Sequence, residues 1–252
     1  MTGYYSSLKP FLRTFLQGRP ILTYHHVGPR KRGARLKGLY LSPSLFAAQV
    51  RELRDAGFLP GSLDELRGEG GLSSRRVWMT FDDGFRDVFL HALPVLAQSG
   101  FGSIQFLVAG RIGGTNEWQQ QAGDVPEPLM DEAEVRAWLA AGQEIGSHTL
   151  THPWLTRISD YQAREEINSS KKALEDRFGK EVRHFCYPYG DVNERIRDLV
   201  GEAGYSTACT TRAGVNLPDG DRLMLKRFTA RYPSRNLKNL WKQLVGRLAG
   251  YC

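Results

Sequence analysis

Apolar runs of strand length alternate with helical periodicities from about residue 20 onward, and this alternation constrains the fold more than any other feature. Ile21–Val27, Val77–Phe81, Ser103–Val108, Glu144–Ser147, Val182–Tyr187, Tyr205–Thr210 and Leu223–Phe228 read as strands. Pro43–Ala56, Phe85–Gln98, Asp131–Ala141, Asp160–Phe178, Val192–Ala203 and Leu237–Leu248 read as helices, and Gly110–Pro128 as a loop of a length that is ordinarily functional. Strands and helices in this order imply parallel strands with crossover helices. A doubly wound nucleotide-binding sheet would show a glycine fingerprint after its first strand. Here that strand ends in Tyr24-His25-His26-Val27, so the expectation is an α/β barrel. Chemistry in a barrel gathers where strands end at their C-terminal edge, and His25, Asp82/Asp83, His148/His152 and Pro188/Tyr189 fall at such ends.

The remaining composition narrows the class. With 252 residues, 41% hydrophobic and 24% charged, the chain has the balance of a soluble globular protein rather than a disordered or fibrous one. No apolar run approaches the roughly 20 residues of a membrane span. Lys9, Arg13 and Arg19 cut the N-terminus into pieces too short for the apolar core of a signal peptide. The expected location is therefore the cytoplasm. Cys186, Cys209 and Cys252 are too few and too widely spaced for a disulfide framework or a zinc-thiolate site.

Three segments carry the chemistry. In Thr80–Gly84, two adjacent carboxylates follow a hydrophobic strand. One of them capping a helix would explain the pair; so would a division of labour, in which one binds a cation and the other takes a proton. In Ser147–Pro153, two of the six histidines stand four residues apart, on one side of a helical turn, a familiar spacing for two imidazoles on one divalent ion. With one aspartate they make a His-His-Asp site with open positions, suited to zinc or a similar cation that activates water. In Phe185–Gly190, aromatic residues and a proline close a strand before a glycine turn. This is either packing or a groove wall whose backbone N–H faces an oxyanion.

Taken together, Thr80-Phe81-Asp82-Asp83-Gly84, His148-Thr149-x-x-His152 and Pro188-Tyr189-Gly190 resemble the polysaccharide deacetylase family, the carbohydrate esterases with a NodB homology domain, over roughly residues 20–230. The resemblance implies a distorted (β/α)7 barrel and removal of N-acetyl groups from amino sugars of a polysaccharide, oligosaccharide or lipid-linked glycan. It implies Asp82 as catalytic base, Asp83, His148 and His152 as ligands of a divalent metal (zinc, with cobalt or nickel as substitutes), and the backbone N–H of Tyr189 as an oxyanion donor. Many members have arginine where this chain has Cys186. The usual aspartate–tryptophan and leucine–histidine motifs are absent, and no histidine follows His184. The opening Ile21–Val27 is instead similar to the circularly permuted branch that includes poly-β-1,6-N-acetylglucosamine deacetylases. There His25 becomes the general acid and His26, on the other side of the strand, packing or a supporting contact behind the site. Arg227 replaces the missing arginine beside Asp82, or else is an exposed residue of a basic tail. His91 and His184 are read as structural. The rival readings are a deformylase or O-deacetylase on a lipid-linked sugar, and a sugar-binding relative without chemistry, which retention of all five polar residues disfavours.

Charge is uneven. Residues 1–40 and 222–252 each hold eight basic residues and no acid, whereas residues 41–221 hold 18 basic against 27 acidic. No nucleic-acid motif accompanies the basic ends, so no nucleic-acid partner is expected. Three parts follow: a basic amphipathic segment over 1–19, the barrel over 20–230, and a basic helix over 231–252. The apolar stripes Tyr4, Tyr5, Leu8, Phe11, Leu12, Phe15, Leu16 and Leu237, Leu240, Trp241, Leu244, Val245, Leu248 either dock on the barrel or lie on anionic lipid at the inner membrane face. The oligomeric state is not legible.

Overall fold

Seven short parallel strands form a ring that follows their order along the chain, the last strand pairing with the first to close it. A computed structural model describes residues 7–63, 65, 75–120 and 123–230. Its strands are β1 (Ile21–Tyr24), β2 (His26–Val27), β3 (Tyr40–Leu41), β4 (Leu59–Pro60), β5 (Arg76–Phe81), β6 (Ser103–Leu107), β7 (Glu144–Ser147), β8 (His184–Cys186), β9 (Thr207–Cys209) and β10 (Phe228–Thr229). The ring runs β10-β1-β5-β6-β7-β8-β9, with β4 beside β5 and a separate β2–β3 pair. Leu225 bridges to Cys209 while Phe228 pairs with Leu22, so the segment before and through β10 spans the gap between β9 and β1 and closes the ring. This is the barrel the alternation predicts, with a distorted seam.

Side chains alternate along the strands. Ile21, Trp78, Ile104, Phe106, Cys186 and Cys209 belong to an inner cluster, while Leu22, Met79, Phe81, Leu107, Phe185 and Ala208 pack outward under the helices. Gly146 leaves room for the Phe106 ring, which would stand 2.6 Å from a Cβ at that position.

The helices are α1 (Leu12–Phe15), α2 (Pro43–Asp55), α3 (Arg86–His91), α4 (Leu93–Ser99), α5 (Glu117–Gln120), α6 (Glu132–Ala140), α7 (Asp160–Phe178) and α8 (Glu194–Glu202). Capping boxes at Asp131/Glu134 and Ser159/Gln162 start α6 and α7, and Gly179 ends α7 in the left-handed conformation. The helix expected over Phe85–Gln98 is two helices. Pro94 has no N–H for the ladder, and the break falls at Ala92. The strand expected over Ile21–Val27 divides at His25, where the chain leaves the ring to pair with β3. The strand expected over Leu223–Phe228 begins instead as a 3-10 turn, Arg222–Met224, and becomes β10 only at Phe228.

In the N-terminal stripe, Leu8, Phe11 and Phe15 are buried in the core, where Phe15 meets Phe58 edge-on at 6.1 Å and Phe228 at a tilt at 5.3 Å. Docking on the barrel thus occupies these three side chains. Tyr4, Tyr5 and the expected helix Leu237–Leu248 lie outside the described residues.

Candidate active site

The three motif loops and His25 meet over the C-terminal end of the ring, around a cavity of about 650 Å³ lined by His25, Asp82, Asp83, His148, His152 and Tyr189 among others. Asp82 and Asp83 follow β5, His148 and His152 follow β7, and Tyr189 follows β8, as parallel topology requires of residues at strand ends.

The adjacent carboxylates have different neighbours. Asp83 Oδ1 lies 3.3 Å from Nε2 of both His148 and His152, and the three are buried with ligand atoms within 4.8 Å of one another. Burial would raise the Asp83 pKa, but the two imidazoles outweigh it and hold the carboxyl well below the usual range. The His148 Nδ1–H donates to the Cys186 carbonyl at 2.7 Å, leaving Nε2 as a lone-pair donor. Two imidazole nitrogens and one carboxylate oxygen converging at a cavity wall fit a divalent cation with open positions.

Asp82 faces the other way. Arg227 is 1% exposed; its Nη1 donates to Asp82 Oδ1 at 2.7 Å and its Nη2 to Oδ2 at 2.8 Å. The same guanidinium donates to the Thr210 carbonyl and the Thr80 hydroxyl, so its plane is fixed. Burial again would raise the Asp82 pKa, and the charge and bonds of Arg227 reverse that and lower it. Of the two sequence readings of Arg227, the buried one holds: it fills the place beside Asp82 that Cys186 is too small to fill. Asp82, His148 and Cys186 also converge, but Arg227 Nη2 stands 3.1 Å from Cys186 Sγ, and burial pushes the thiol up to about 11. A protonated thiol beside a guanidinium is no cation site.

His25 Nε2 lies 3.8 Å from Asp82 Oδ2, and burial lowers its pKa more than the two aspartates raise it. His26 points away, sandwiched between Tyr40 and Phe85 with Nδ1 2.9 Å from Asp87. His184 is buried against Thr207 Oγ1.

His148 and His152 do not lie on a helical turn, as their spacing suggests. The loop is irregular, with positive φ at Thr149 (68°) and His152 (70°). Its shape is held by Glu166 of α7, which accepts from the N–H groups of Leu150 and Thr151 and from the Thr151 hydroxyl. Among the described residues, every non-glycine with positive φ (Asp83, Thr149, His152 and Tyr189) sits in a motif loop. Such conformations cost of order 1–3 kcal/mol each and collect at functional sites. Sequence reasoning missed Glu166, and also Trp118 and Trp154, whose rings lie against the site; the length of the 110–128 loop was the signal for Trp118.

The family model for polysaccharide deacetylases matches residues 69–208, more than half of the chain. The chain belongs to the polysaccharide deacetylase family. Its enzymes are metal-dependent hydrolases of an amide carbon–nitrogen bond. The deacetylase chain is 26% identical to the Bacillus subtilis protein YxkH over 212 residues, 82% of this chain and 70% of that one. It is also 26% identical to the poly-β-1,6-N-acetyl-D-glucosamine N-deacetylase of Staphylococcus aureus over 177 residues, 67% of this chain and 60% of that enzyme. The solved structure of IcaB from Ammonifex degensii is similar with a TM-score of 0.74 and 27% identity, over 90% of this chain and 97% of that one.

Proposed function

We propose that this deacetylase removes N-acetyl groups from amino sugars of a glycan and does so with a divalent ion, zinc by preference, held by Asp83, His148 and His152. The observation that carries the reading is the division between the aspartates: Asp83 faces two imidazoles, while Asp82 is locked by Arg227 and faces His25. The Staphylococcus aureus relative, named for a β-1,6-linked N-acetylglucosamine polymer, supports an N-acetylated glycan as substrate. When bound, such an ion acts as a Lewis acid on the acetyl carbonyl and acidifies water.

The chain's own residues do the rest. Asp82, kept anionic and aligned by Arg227, accepts a proton from the water that attacks the acetyl carbon. The backbone N–H of Tyr189 donates to the oxygen that gains negative charge. His25 gives a proton to the sugar nitrogen as the carbon–nitrogen bond breaks, releasing acetate and a free amine. The test is acetate release from β-1,6-linked N-acetylglucosamine oligomers. Release that stops with chelator and returns with zinc is expected; no release from any N-acetylated oligosaccharide overturns the reading.

A further inference from the structure

The two histidines of the cation site are held by different means. His148 is fixed by the bond from its Nδ1–H to the Cys186 carbonyl. The His152 Nδ1 is buried and, its own backbone apart, has no hydrogen-bond partner among the described residues. A metal-ligating imidazole ordinarily has its plane set by a hydrogen bond on its far nitrogen. His152 is surrounded by rings instead. The Trp118 indole stacks on it at 4.7 Å and 22°, and Tyr189 meets it nearly at right angles at 4.5 Å. Tyr189 is stacked in turn on Trp154 at 4.1 Å, and the Arg157 guanidinium sits 4.2 Å over Trp154.

The connection expected as a loop over Gly110–Pro128 contains the short helix α5, which carries Trp118, and the residues around it are bonded so as to hold it. Asn116 is fully buried; its Oδ1 accepts from the Glu127 N–H at 2.7 Å, and its Nδ2 donates to Gln119 Oε1 at 2.6 Å and to the Val125 carbonyl. Arg111 and Glu117 pair across the same stretch at 3.0 Å. An aromatic pair and a hydrogen bond contribute comparable amounts, so a stacked indole is sufficient to replace the missing bond.

We propose that Trp118 is a positioning residue for the cation site: its indole sets the plane of the His152 imidazole and so aims Nε2 at the ion shared with Asp83 and His148. This rests on the metal reading above. Through Trp118, the loop picked out by its length governs how tightly the ion is held.

The experiment titrates metal-free protein with zinc against a chromogenic chelator and, in parallel, reads the zinc-induced rise in melting temperature, which reports binding even in a destabilised variant. Trp118→Leu, which keeps apolar bulk without a ring, should weaken zinc binding roughly 10- to 100-fold. Trp118→Phe should restore most of the affinity. Wild-type zinc affinity in Trp118→Leu, with only a lower melting point, would mean that the indole merely fills space and would overturn the proposal. So would Trp118→Phe binding as weakly as Trp118→Leu. If Trp118→Leu does not fold, Asn116→Ala loosens the same loop without touching the ring; a smaller loss of affinity is expected, and unchanged affinity counts against the idea. A wild-type protein that binds no zinc would sink the metal reading and take this inference with it, an outcome distinct from wild type binding and the variant binding equally.

Discussion

Replacing Arg227 with Met tests how the base is made. The guanidinium is almost fully buried and spends two of its bonds on Asp82, one on Thr210 and one on Thr80. Removing one partner of a buried ion pair costs about 3–5 kcal/mol, because the other charge is left uncompensated. For a chain of this size that corresponds to a fall of roughly 6–20 °C in melting temperature. The pH dependence should change sign. In the native protein the Asp82 pKa is lowered, so its stabilising contribution is present above the unfolded carboxylate range and is lost as pH falls through the native value. Without Arg227, burial acts with much less opposition and raises that pKa, so the variant should lose stability as pH rises. The acid limb of acetate release should move to higher pH for the same reason. Turnover should drop about 100-fold for a base displaced by an ångström. Arg227→Lys separates charge from geometry: it keeps the cation, and so much of the acid limb, but loses the fork that aligns the carboxylate. The measurements are thermal melts across pH and acetate release across pH. A Met variant that melts with the native protein and keeps the native acid limb would refute the argument.

Asp82→Asn should retain zinc and lose turnover, whereas Asp83→Asn should lose zinc; metal analysis of the purified variants decides, and equal metal loss in both would contradict the division of roles. His25→Ala should lower turnover about 10²–10⁴-fold, since it removes the proposed proton donor. His26→Ala should lower mainly the melting temperature, since that ring fills the space between Tyr40 and Phe85; a dead His26 variant would reverse the assignment. Gly146→Val should destabilise the barrel by about 1–3 kcal/mol by driving a side chain into Phe106, read as a lower denaturation midpoint with the metal site intact.

What could be read in the sequence follows from what kind of information each element needs. The bounds of β7 and α7 match their expected ranges because Glu144–Ser147 lies between Gly142 and the motif loop and Asp160–Phe178 between Ser159 and Gly179, signals that are local. The site residues stood out because two adjacent aspartates and two of six histidines fall at strand ends. The spacing of His148 and His152 suggested a helix, yet the loop is shaped by Glu166, which is distant in sequence and acts through tertiary bonds to backbone N–H groups. The burial of Arg227 was equally out of reach, since it depends on where ring closure carries the segment after Arg222. Trp118 needed both the loop's internal bonds and the position of His152 before its placement meant anything.

The pairing of β10 with β1 sets the first strand of the ring beside the last, and the residues that seal this seam are the ones that bring Arg227 to Asp82. The same short segment therefore closes the barrel and places the guanidinium against Asp82. A chain growing from its N-terminus on the ribosome carries both aspartates and both histidines long before Arg227 is added. Until then Asp82 lacks the guanidinium that fixes its carboxylate. A chain ending short of Arg227 and β10 would keep the sequence of every motif yet lack both the closing strand and the guanidinium beside Asp82.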